Sequence, residues 1–86
     1  MNVKNGDTAT LRDAIVRRMG KLLGAPRSAL DLANEINIDG MGNAAKVAHL
    51  VVTMNEMVND GLLRMTHDPK DHRTYSAEQK QYELAR

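Results

Sequence analysis

The chain has 86 residues, a length that predicts one small domain and excludes a deep catalytic pocket beside a separate regulatory unit. Its 12 Lys and Arg against 11 Asp and Glu exclude a strongly basic protein that coats nucleic acid indiscriminately. Without cysteine it has no disulfide or thiolate chemistry. No apolar run approaches the ~20 residues of a membrane span and no signal-peptide pattern is seen, which predicts a cytoplasmic protein without membrane contact.

The apolar residues predict a core of Leu, Ile, Val, Ala and Met. Trp and Phe are absent, and the only aromatic residues are Tyr75 and Tyr82. Aliphatic side chains bury less area per residue than aromatic rings do. A core with so little buried apolar area favours a homodimer, because association would bury further apolar surface.

The first periodic segment predicts a helix over residues 10–23, preceded by a flexible N-terminus over residues 1–9. Its apolar residues recur at spacings of three and four, which places them on one face. Thr10, with Asp13 three positions on, is the expected N-cap. Gly24 and Pro26 would end the helix.

The next segment, SALDLANEI, predicts a helix of about two turns, with Ser28 as N-cap and Asp31 at the capping-box position. The glycine-containing stretch NIDGMGN then predicts a turn, and it lacks the spacing of a phosphate-binding loop. A third helix follows over residues 43–60, with Asn43 as N-cap and Gly61 in the left-handed conformation that ends helices.

The apolar face of the third helix is broad, and its opposite face has an uneven charge. The residues expected on that opposite face are Lys46, His49, Thr53 and Glu56. The N-terminal half is small, polar and positive at Lys46, whereas Glu56 and Asp60 would repel phosphate. If this helix enters a DNA groove, it should therefore enter by its N-terminal end.

After Gly61 the pattern changes to short extended segments. LLRMT and RTYSA predict two strands of a hairpin, joined by the polar stretch HDPKDH, where Asp68-Pro69 is a strong turn signal. The remaining residues 78–86 predict a tail or short helix, since Ser76 and Gln79 have capping-box spacing. This tail could dock on the core, pair with a second subunit or fray.

These elements predict a mainly α fold with a small β-hairpin, of the α+β class: a winged helix-turn-helix domain over residues 10–77 with three helices, a two-stranded wing and a short C-terminal helix. The segment GLLRMTHDPKDHRTYSA resembles the wing of the MarR-type transcriptional regulators, whose tip pattern D-P-x-D-x-R is matched by Asp68, Pro69, Asp71 and Arg73. The resemblance implies that Arg73 reaches a DNA minor groove or phosphate and that Asp71 helps hold the wing. The chain is shorter than MarR-type proteins, so the resemblance extends to the winged-helix superfamily and implies a small regulator of phage or mobile-element type.

On this arrangement we expect sequence-specific binding to double-stranded DNA without a cofactor. The N-terminal turns of the third helix would lie in the major groove, and the start of the second helix would contact the DNA backbone. The wing would contact the adjacent backbone or the minor groove. The candidate DNA-binding residues are Arg27, Ser28, Asn43, Lys46, His49, Lys70 and Arg73.

Other classes of function remain as alternatives. Winged helices also dock proteins, and the near-neutral charge and exposed alanine face of the third helix fit a docking module with a protein partner. An enzyme is not expected, since no nucleophile, histidine and acid stand in a recognisable context. A metal is not expected either, because His49, His67 and His72 have neither cysteine partners nor the i, i+4 spacing of a helical histidine pair.

Overall fold

A computed structural model describes residues 2–21, 26–67 and 80–85 and has three helices and small β-sheets in that part of the chain. The elements, in chain order, are β1 (Asn2–Val3), α1 (Thr8–Lys21), β2 (Arg27–Ser28), α2 (Ala29–Ala33), β3 (Asn37–Ile38), α3 (Asn43–Asn59), β4 (Leu63–His67) and β5 (Gln81–Leu84). The predicted α+β class is confirmed at this level.

Helix α1 begins two residues before the predicted start. The Asp7 carboxylate accepts hydrogen bonds from the Thr10 backbone N–H at 3.1 Å and from the Thr10 hydroxyl at 2.7 Å. Asp7 is therefore the capping side chain, and the assignment of Thr10 as N-cap is wrong. These two hydrogen bonds, that of the hydroxyl first, hold the pKa of Asp7 below its usual value. The predicted end at residue 23 falls outside the described residues.

Helix α2 confirms its predicted cap. The Ser28 side chain accepts from the Asp31 N–H, and the Asp31 carboxylate accepts from the Ser28 N–H, so that the capping box is complete. The helix spans five residues, however, and not the nine of SALDLANEI. Its short length makes packing against α3 necessary for its stability.

The predicted turn after α2 contains a strand. Asn37–Ile38 pairs in parallel with Asn2–Val3, and the side chains of Val3 and Ile38 are both buried. The backbone then turns at Gly40, whose φ is +79°. Residues 1–9 were expected to be flexible, so this pairing was not predicted. It joins the N-terminal segment to the segment that follows α2.

Helix α3 matches its predicted range to within one residue. Of its two predicted end residues, only the C-terminal one is confirmed. Gly42 is the N-cap and makes no side-chain hydrogen bond, so the prediction of Asn43 as N-cap is wrong. At the other end Gly61 has φ +82°, its N–H donates to Val58, and the Leu62 N–H donates to Met57. This is the Schellman pattern, and the predicted left-handed Gly61 is confirmed.

A three-stranded antiparallel sheet follows, in the order β2, β5, β4. The first predicted strand, LLRMT, is confirmed as β4 with a shift of one residue. The predicted return strand RTYSA lies outside the described residues. Within residues 80–85, β5 pairs with both β4 and β2, so the prediction of a short helix is wrong there.

The core is formed where α3 packs against α1, α2 and β4, with β5 also packed against α1. Its buried members are Val3, Leu11, Ala14, Ile15, Met19, Ala29, Leu32, Ala33, Ile36, Ile38, Val47, Leu50, Val51, Met54, Met57, Leu63 and Tyr82. The expectation of a purely aliphatic core is wrong at Tyr82, the largest of the fully buried side chains. Its hydroxyl donates to the Asn55 side-chain oxygen at 2.6 Å, which satisfies the polar end of the ring.

Thr53 also differs from its predicted place on the polar face of α3. Its side chain is buried, and its hydroxyl donates to the His49 carbonyl at 2.9 Å. Such bonding back to the preceding turn lets a threonine enter the core without an unsatisfied hydroxyl. The apolar face of α3 is therefore wider than the sequence pattern indicated.

The cap at Asp7 predicts a pH dependence of stability. Because the pKa of Asp7 is lower in the folded chain, its contribution is present above the unfolded-state pKa and is lost as the pH falls through the folded-state pKa. We expect Asp7→Ala to lower the melting temperature at neutral pH, and this deficit to shrink on acidification. Thr10→Val, which removes the hydroxyl donor, should move that loss to higher pH. A deficit that is constant with pH would contradict this role.

Tyr82 predicts a large loss of stability on truncation. Tyr82→Ala should lower the free energy of unfolding by about 3–5 kcal/mol, as expected for a fully buried ring. Tyr82→Phe should cost about 1 kcal/mol, because Asn55 then loses its donor. Urea denaturation measures both, with the exposed neighbour Gln81→Ala as the control. Equal effects of Tyr82→Ala and Gln81→Ala would contradict the placement of β5.

Candidate nucleic-acid interface

The first turn of α3 presents backbone donors to solvent. The first i→i−4 bond of this helix runs from the Lys46 N–H to the Gly42 carbonyl at 2.9 Å, so the N–H groups of Asn43, Ala44 and Ala45 precede the helical ladder. All three residues are exposed, and no side-chain hydrogen bond from residues 2–21, 26–67 or 80–85 caps the helix. The partial positive charge of the helix N-terminus is thus accessible to an anion.

Three predicted DNA-binding residues lie along one side of the first two turns of α3. Asn43 is exposed, and Lys46 and His49 are half-buried, each three residues after the one before. Residues three apart are neighbours on a helix surface. The structure therefore brings Asn43, Lys46 and His49 together beside the open helix N-terminus.

Arg27 is held by other protein groups. Its side chain is only 12% exposed, its guanidinium pairs with Glu35, and Nη1 donates to the Arg18 carbonyl at 3.4 Å. The predicted contact with a DNA phosphate needs a free guanidinium, whereas this one joins the end of α2 to α1. A phosphate would have to compete with the Glu35 carboxylate for it.

Ser28 is likewise committed to the protein. The residue is buried, and its hydroxyl oxygen accepts from the Asp31 N–H at 3.2 Å. Its position at the start of α2 agrees with the prediction, but its side chain caps that helix and does not extend toward solvent.

Glu35 is a charged residue of this region that no sequence pattern singled out. Its carboxylate lies between Arg27 and Arg18, and the distance from Glu35 Oε1 to Arg18 Nη1 is 3.6 Å. Arg18 lies in α1, Arg27 in β2 and Glu35 in the turn after α2. Glu35 is 8 positions from Arg27 and 17 from Arg18, so no helical or strand period predicts their meeting. We call Arg18, Arg27 and Glu35 the arginine cluster.

Other charged side chains of the described part also occur in pairs. Arg17 pairs with Asp13 one helical turn away at 3.0 Å, and Arg64 pairs with Glu83 across the β4–β5 ladder. Arg12 pairs with Asp60 at the C-terminal end of α3. These pairs reduce the positive charge that the described surface offers to a phosphate backbone.

The predicted wing tip lies outside the described residues. It includes Lys70 and Arg73, the two predicted wing contacts, with Asp68, Pro69 and Asp71. Their assignment rests on the match to the wing of MarR-type regulators and stays a prediction.

The chain matches no protein-family model, and neither a curated protein nor a solved structure is significantly similar to it. Among residues 2–21, 26–67 and 80–85, no helix is long and apolar enough to cross a membrane. The same residues contain no group of three or more His, Cys, Asp or Glu side chains placed to hold a metal ion.

The arginine cluster predicts that Glu35 contributes more to stability than an exposed acid does. Glu35→Ala leaves two largely buried guanidiniums beside each other without their carboxylate, and it should lower the free energy of unfolding by about 2 kcal/mol. The matched control is Asp13→Ala, which breaks an exposed i, i+4 pair and should cost about 0.5 kcal/mol or less. Urea denaturation compares them, and an equal loss in both variants would contradict the cluster.

Proposed function

We propose that the chain is a small DNA-binding protein of the winged helix-turn-helix type that acts as a transcriptional regulator. The observation that carries the proposal is the order of the elements: α2 and α3 form a short and a long helix in succession, and the antiparallel strands β4 and β5 come next. A helix-turn-helix pair uses its second helix to read the major groove. In this chain that helix is α3.

The geometry of α3 supports its entry by the N-terminal end. Asn43, Lys46 and His49 provide an amide, an ammonium and an imidazole within two turns, beside backbone N–H groups that can bind a phosphate. Glu56 and Asp60 lie toward the C-terminal end of α3, which this orientation keeps away from the DNA backbone. With Arg27 and Ser28 engaged within the protein, we expect few phosphate contacts and weak binding by one chain.

A second candidate function is protein docking, and one observation favours it. The outward face of α3 is apolar over Ala44, Ala45, Ala48 and Val52, and Val52 is 55% exposed. Small side chains in these positions allow close approach to a partner surface. Binding that survives high salt would distinguish a protein partner from DNA, because phosphate contacts weaken steeply with salt.

The DNA proposal predicts a salt-sensitive affinity that depends on Lys46. We would measure fluorescence anisotropy of a labelled random duplex at low and near-physiological salt. Lys46→Ala should weaken binding and reduce the slope of log K against log salt by about 1, with the melting temperature nearly unchanged. Arg73→Ala tests the wing, whose assignment rests on the sequence match alone, and it should likewise weaken binding.

The matched control is Lys4→Ala, an exposed lysine outside α3. It should leave the affinity close to that of the native chain. Absence of binding at low salt would refute the DNA proposal and favour the docking module. Unchanged affinity in both Lys46→Ala and Arg73→Ala would refute the proposed surface.

A further inference from the structure

The start of α3 has less local support than its C-terminal end, which the Schellman pattern at Gly61 closes. Gly42, the N-cap, has no side chain to accept a hydrogen bond from a first-turn N–H, and Gly40 lies two residues before it. Glycine gives the backbone more conformational freedom than any other residue. The local sequence alone would therefore leave the first turn of α3 free to fray.

A side-chain cap at this position would compete with the proposed DNA contact. A serine or asparagine N-cap accepts a hydrogen bond from the second or third helical N–H. In α3 these are the N–H groups of Ala44 and Ala45, which belong to the phosphate donors of the proposed function. To be ordered with these donors open, the start of α3 needs contacts from outside its own first turn.

Strand β1 makes such contacts with the segment before α3. The Val3 carbonyl accepts a hydrogen bond from the Asp39 N–H at 2.9 Å, and the side chains of Val3 and Ile38 are both buried. On the solvent side, Asn37 Nδ2 donates to Asn2 Oδ1 at 3.3 Å. Strand β1 thus holds this segment by an apolar pair, an amide pair and a backbone hydrogen bond.

Two further hydrogen bonds connect this pairing to α3. The Met41 N–H donates to the Ile38 carbonyl at 3.1 Å and closes the turn. The Lys46 N–H donates to the Gly42 carbonyl at 2.9 Å as the first bond of the helical ladder. Because Asp39 is only three residues before Gly42, the strand pair constrains where α3 begins and how its first turn is directed.

We propose that β1 takes the place of a side-chain cap, and that Val3 is a positioning residue for the DNA-reading end of α3. Asn43, Lys46 and His49 can make defined contacts only if the first two turns are ordered. Val3 is buried and acts through the backbone of Asp39. Its role in DNA reading rests on the proposed function, whereas the ordering of α3 does not.

Amide hydrogen exchange, followed by NMR without DNA, compares the two ends of α3. The reference is the Leu62 N–H, which is bonded at the C-terminal end of the helix. Relative to this amide, Val3→Ala should lower the protection of the Asp39 and Lys46 amides about tenfold, because local opening of the turn becomes easier. An equal loss of protection at both ends of α3 would overturn the proposal.

The matched control is Met19→Ala, which removes a buried side chain of α1. It should lower the melting temperature at least as much as Val3→Ala does, because it removes more buried atoms. It should leave the ratio of Lys46 to Leu62 protection unchanged. A fall in this ratio equal to that in Val3→Ala would show a general loss of stability and overturn the specific role of β1.

A serine cap tests whether β1 acts through the first turn. Gly42 has φ −72°, which any residue adopts, and a Cβ there would meet no atom of the described chain within 4 Å. Val3→Ala/Gly42→Ser should therefore regain protection at Lys46 but not at Asp39, because serine restores a cap and not the strand pair. No gain at Lys46 would contradict the substitution of β1 for a cap.

Fluorescence anisotropy with the labelled random duplex tests the link to DNA, at a temperature where both single variants remain folded. Val3→Ala should weaken binding about threefold, since the apparent affinity falls with the fraction of chains in which the first turn is ordered. Met19→Ala should bind as the native chain does. Unchanged affinity in Val3→Ala despite lost protection at Lys46 would overturn the positioning role. A native chain that binds no DNA would refute the proposed function, and the exchange measurements would still decide whether β1 orders the start of α3.

Discussion

The contact between Tyr82 and α3 is the interaction on which the rest of the structure depends. Tyr82 lies on the middle strand of the sheet, and its hydroxyl reaches Asn55 of the central helix. One residue therefore joins the sheet to the helical layer by both apolar burial and a hydrogen bond. In a chain without Phe or Trp, no other ring in the described part can supply that area.

In this near-neutral chain, most of the arginines of the described part pair with acidic side chains of the same protein, as the arginine cluster shows. Arg18 and Arg27 hold the ends of α1 and α2 together through Glu35, and further arginines pair with Asp13, Asp60 and Glu83. Arginine suits such sites because its planar fork makes several hydrogen bonds at once. The consequence is that these arginines are engaged within the fold, so the DNA contact that we propose depends more on Lys46.

Local signals in the sequence predicted where α1, α2 and α3 lie, although not all of their ends. The capping box at Ser28 and the left-handed Gly61 depend only on residues within one or two turns, and both are present in the structure. Asp7 was missed because Thr10 and Asp13 have an equally good capping pattern three residues later. Local chemistry alone could not decide between them.

Features that join distant segments could not be predicted. The pairing of Asn2–Val3 with Asn37–Ile38 involves two residues on each side, too few for any period. The sequence around Tyr82 has helix-forming neighbours and a capping pattern, yet it forms a strand because β2 and β4 offer hydrogen-bonding edges and the core has space for a ring. Tertiary context overrides local preference in such segments.

The place of β5 in the sheet also constrains how the protein is made. Its two partner strands come earlier in the chain, so neither β2 nor β4 can acquire its neighbour until residues 81–84 have left the ribosome. The helices α2 and α3 contact each other locally and can pack sooner. A nascent chain stalled between β4 and β5 would therefore expose Leu63 and an unpaired strand edge, a segment on which chaperones and neighbouring nascent chains can act.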